Sequence, residues 1–142
     1  MEVIVYPTLD ELTEGGQLVV DEATDWEVGR WWAKASEFRR ASDLLQEDPD
    51  NAFLLGYIAA VQAATAIVRA GGYRAVGRTL HHNTFAGAVA LSGGRLSKAG
   101  RMLDRLGPVF GSVDRGEPNV SRRDLELLRA ASDSLFREVG RD

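Results

Sequence analysis

The chain has no cysteine among its 142 residues, which excludes a disulfide framework, a thiolate zinc site, an iron–sulfur cluster and a cysteine nucleophile. It has two histidines, and they are adjacent, His81 and His82. Nucleophile–His–acid catalysis therefore has one place at most to stand, and its Ser and Thr partners (Thr79, Thr84, Ser92, Ser97) are too common in type to mark a triad. Neighbouring side chains on a helix point about 100° apart, so the pair does not readily chelate one ion. With no acid between Asp50 and Asp104 to join them, no metal and no cofactor is expected. Glycine pairs occur at Gly71-Gly72 and Gly93-Gly94, but neither is followed by Lys-Ser/Thr or set between a strand and a helix, as a phosphate-binding loop requires. The N-terminus lacks a basic leader and no window reaches the ~18 uncharged apolar residues of a membrane span, so the expected location is cytoplasmic, with no membrane partner.

What is present is the composition of one globular domain, 44% hydrophobic and 27% charged. A formal net charge of −4 conceals an uneven distribution: residues 1–68 carry four basic and thirteen acidic side chains, residues 69–105 seven and one, and residues 106–142 six and seven. The middle is a basic island of Arg69, Arg74, Arg78, Arg95, Lys98, Arg101 and Arg105, and it holds both histidines. Such clustering attracts phosphate or an acidic partner. The acidic first third can equally dock against it within the fold or across a dimer.

Three capping signals and one proline divide the chain. Thr8 with Glu11 predicts a single helical turn ending at Gly15-Gly16, between β-leaning runs at 3–6 and 17–20; residues 1–23 read as an N-terminal arm. Thr24 with Glu27 opens a long helix whose Val28, Trp31, Ala35, Phe38, Ser42 and Leu45 form a seam at steps of three and four. Asp48-Pro49 opens a second helix to about Ala70, with Phe53, Leu54, Tyr57, Ile58, Val61, Ala64, Thr65 and Val68 facing inward. Only Gln62 is strongly polar from Ala52 to Val68, which marks this as the central helix. A linker over 72–83 leads to a third helical stretch from Asn83 or Thr84, broken at Ser92-Gly93-Gly94 and stopped by Gly107-Pro108, with a loop over 107–120. Ser121 with Asp124 opens the last helix. The expected fold is all-α, an up-down antiparallel four-helix bundle over residues 24–142.

The chemistry this pattern supports is a metal-free arrangement of Arg and His. A histidine can move the proton of a 2′-hydroxyl while an arginine stabilises charge on the phosphorane, and Arg74, Arg78, His81 and His82 lie together near a helix N-terminus. The segments Ala41-Ser42-Asp43-Leu44-Leu45, 50–60 from Asp50 to Ala60, Gly72-Tyr73-Arg74, and Gly77-Arg78-Thr79-Leu80-His81-His82-Asn83-Thr84 resemble the HEPN superfamily, over roughly residues 30–106. That resemblance implies a bundle that dimerises and, in many members, a metal-independent ribonuclease or toxin in a toxin–antitoxin or defence system. Active members carry an Arg, a polar residue and, several residues on, a His near the start of the last core helix. Here the one formal match, Arg74 to His81, lies earlier, with Ala75 in the polar position. The resemblance thus implies a non-catalytic module that binds RNA, a nucleotide or a partner protein such as a nucleotidyltransferase or antitoxin. Tyr73, Arg74, Arg78 and Arg101 are its expected binding residues. The alternatives are a divergent endoribonuclease using Arg74, His81 and His82, and a purely structural dimer, for which Trp26, Trp31 and Trp32 exceed what one helix buries alone.

Overall fold

The computed structural model describes residues 6–117 and 120–139. Among these, six helices and two short strands follow in the order α1 (Leu9–Glu14), β1 (Leu18–Val20), α2 (Asp25–Asp43), α3 (Pro49–Ala70), β2 (Tyr73–Ala75), α4 (Leu80–Leu91), α5 (Ser97–Asp114) and α6 (Arg122–Val139). The protein is therefore mostly helical. Each long helix with a sequence cap starts where its cap places it. Thr24 Oγ1 accepts from the Glu27 amide at 3.1 Å, Asp48 caps Asn51 ahead of Pro49, and Ser121 and Asp124 exchange reciprocal hydrogen bonds at 3.0 and 3.2 Å. These satisfy N–H groups that a helix start leaves orphaned.

α3 is central, packed against α2, α4, α5 and α6. Its alanines, Ala59, Ala60, Ala63, Ala64 and Ala66, are fully buried, and small side chains let the neighbouring backbones approach. At Gly56 two neighbours come close: a Cβ there would stand 3.0 Å from Ser42 Oγ of α2 and 3.1 Å from Leu128 of α6, while Ser42 Oγ donates to the Ala52 carbonyl. By length and composition α3 is the one helix among the described residues that could cross a membrane. Half of that stretch is buried by its neighbours, so the fold uses its apolarity as a core.

Two boundaries differ from the sequence expectation. The 72–83 linker holds a strand, β2, which pairs antiparallel with β1 in the register Leu18↔Ala75, Val19↔Arg74, Val20↔Tyr73; α4 then begins at Leu80, three residues early. The β-leaning run at 17–20 found its partner more than fifty residues away, a separation that local pattern does not reveal. Secondly, α5 runs through Gly107-Pro108 to Asp114. Proline removes one i→i−4 bond, here the one to the Asp104 carbonyl, but Val109 and Phe110 beyond it pack on the core and hold the helix together. Of the loop expected over 107–120, the residues up to Asp114 are thus helical. The break at Ser92-Gly93-Gly94 is present, with Gly93 and Gly94 at φ of 66° and 89°, where only glycine is unstrained.

Of the run at 3–6, residues 3–5 lie outside the described residues and Tyr6 is not in a strand. Residues 6–23 also contribute to the common core, where Leu12 and Leu18 are buried.

Candidate ligand cavity and the divided histidine pair

On α3, Ile58, Val61, Thr65 and Arg69 recur every three or four residues and share one face. The first three are only half buried, because the α2 N-terminal half lies to one side, α4 and the end of α5 to the other, and the space between stays open. The result is a cavity of about 470 Å³. Trp31 of α2, Leu80, His81 and Thr84 of α4 and Phe110 of α5 complete its walls, with Asp21, Glu27, Arg69, Arg74 and Ala75 at one end.

That end is closed by ion pairs. Arg69 is 7% exposed; its guanidinium meets Glu27 Oε2 at 2.8 Å and donates to the carbonyls of Asp21 at 2.7 Å and Tyr73 at 3.0 Å. One arginine thereby ties α2, the residue that follows β1, and β2 to the C-terminus of α3. Arg74 Nε meets Asp21 Oδ2 at 3.0 Å. Two guanidiniums face two carboxylates, so the charges at this end balance. The acidic first third does dock on part of the basic island.

His81 sits among rings, 5.8 Å from Tyr57 and 5.7 Å from Phe110 by centroid, and burial lowers its pKa below the ordinary 6.5. Burial thus favours the neutral imidazole. Burial likewise pushes the Tyr57 phenol up, with the Asp104 charge adding to the effect. His82, one residue on, turns to the other side of α4: its Nδ1 lies 3.0 Å from Asp104 Oδ1, and the Tyr6 hydroxyl donates to Asp104 Oδ2 at 2.7 Å. Burial and that hydrogen bond push the Tyr6 phenol up. Arg101 belongs to this second side, lining a shallow depression with Tyr6 and Leu9.

The structure thus separates the residues that the sequence grouped. Arg74 and His81 line the cavity; His82 and Arg101 lie toward Tyr6 and Asp104. Tyr73 lies in β2, serving Arg69 through its carbonyl, and Arg78 is exposed, outside the cavity and without an ion pair among the described residues. No group of three or more acidic or imidazole side chains among the described residues could hold a metal ion. The sequence reading missed Trp31, Gln62, Arg69 and Phe110 as site residues. Gln62 carried the clearest signal, a lone amide in an apolar helix, and its Oε1 is buried without a hydrogen-bond partner.

No protein-family model, no curated protein and no solved structure matches the chain.

Proposed function

We propose that this chain is a non-catalytic binding module of HEPN type, an up-down bundle of α2, α3, α5 and α6, with the α2–α3–α4–α5 cavity as its small-molecule site. The observation that carries the reading is the cavity itself: apolar and aromatic walls, a volume within the range of small-molecule sites, and end cations already held by carboxylates. Ribonuclease chemistry needs a free cation at the phosphate and proton-carrying groups beside it. Arg74 is engaged by Asp21, and His82 is turned away. The test is incubation of the purified protein with mixed RNA in EDTA. Intact RNA is the expected result.

A second reading has one observation in its favour, since Arg74 and His81 do line the same cavity and a neutral imidazole can accept a proton. Under it, RNA would be cut in EDTA, and His81→Ala would abolish cutting while His82→Ala would not. That outcome would replace the binding module with an enzyme.

A further inference from the structure

The half-open face of α3 has the spacing of a core stripe, yet no helix among the described residues covers it. Its volume of about 470 Å³ suits a compact molecule; an α-helix, ~10 Å across with its side chains, would need a longer trough. Because Arg69 and Arg74 are matched by Glu27 and Asp21, an anion entering here would have to displace a carboxylate from its guanidinium. A neutral ligand meets no such cost. Trp31 and Phe110 offer flat apolar surface. Among the wall residues, Gln62 stands out: its Oε1 is sealed from solvent and accepts no hydrogen bond, an arrangement that is expensive for a buried acceptor. Gln62 lines the cavity and its terminal amide torsion is broad, so a half-turn that exchanges Oε1 with Nε2 would offer the oxygen to a ligand there.

Resting on the ligand-cavity reading above, we propose that the cavity takes a neutral, flat, largely apolar molecule bearing one N–H or O–H donor, which the Gln62 amide oxygen accepts. The aromatic body lies against the apolar walls and supplies most of the affinity. The single polar contact orients it.

The probe is aminoanthracene, whose fluorescence rises in an apolar site, with dimethylaminoanthracene as the analogue lacking N–H. Wild-type protein is expected to bind aminoanthracene saturably and about fivefold more tightly than the analogue, the equivalent of ~1 kcal/mol for one net hydrogen bond. Gln62→Met is expected to erase that difference while keeping the apolar binding. Val61→Trp, or the milder Ile58→Phe should the former not fold by circular dichroism, is expected to abolish binding of both. Adenosine monophosphate in excess is expected to displace neither. Equal affinity for the two probes in the wild type would overturn the role of Gln62. Binding undiminished in a folded filled variant would place the probe elsewhere and overturn the site. Displacement by the nucleotide, lost in Arg74→Gln, would overturn the neutral ligand while leaving the binding module standing, whereas His81-dependent RNA cleavage would remove both.

Discussion

The two sides of α4 set the same side chain in opposite surroundings. On one, His81 is packed among Tyr57 and Phe110 and faces the cavity; on the other, His82 is half exposed and paired with a carboxylate that also holds Tyr6. One helical step of about 100° makes the difference. A His-His pair in sequence is therefore two unrelated positions in space once a helix carries it, and a cluster of chemistry-bearing letters need not be a site.

The comparison can be broken most severely on the cavity side. Tyr57 stacks on Phe110 at 4.5 Å and contacts Phe53, Phe85 and His81, so Tyr57→Ala should cost about 3–5 kcal/mol, as large aromatic truncations do. Urea denaturation reads it directly. Next comes Arg69→Met, expected to lower stability by about 2 kcal/mol: the guanidinium is buried, but Glu27 and Asp21 are each roughly two-fifths exposed, which discounts the penalty for a broken buried pair.

A pH series sharpens the contrast. Below pH 6.5 the unfolded chain takes up a proton at His81 that the folded chain resists, because burial lowers the folded pKa. Stability from this group is full above that value and falls as pH drops beneath it. His81→Phe should flatten the decline seen in thermal melts between roughly pH 7 and 5. The smallest effect belongs to the exposed side, where His82→Ala should cost only about 0.2–1 kcal/mol, the worth of a partly solvated pair. It should leave probe binding in the cavity unchanged.

Much of the helical framework was legible because its signals are local. Thr24 with Glu27, Asp48 with Pro49 and Ser121 with Asp124 each act within one turn, and the Gly93-Gly94 break needs only two positive-φ residues. What escaped depended on distance. The β1–β2 pairing joins Val19 to Arg74, and the persistence of α5 past Pro108 depends on where Val109 and Phe110 land on a core built from other helices. The site suffers from both: Phe110 follows a Gly107-Pro108 pair that reads as a helix stop, and Ile58, Val61 and Thr65 carry a core pattern that no neighbour among the described residues completes. The partnership of Arg69 and Arg74 with Glu27 and Asp21 was visible only as an imbalance of charge between two stretches of chain.

The most direct measurement follows the two imidazoles by NMR across roughly pH 5 to 8, with and without aminoanthracene. With His81 at the cavity and His82 on the outer side of α4, the expectation is that the His81 resonance titrates below 6.5 and moves when the probe binds, while the His82 resonance does not respond to the probe. A His81 that titrates at the ordinary value and ignores the probe, with His82 shifting in its place, would contradict it.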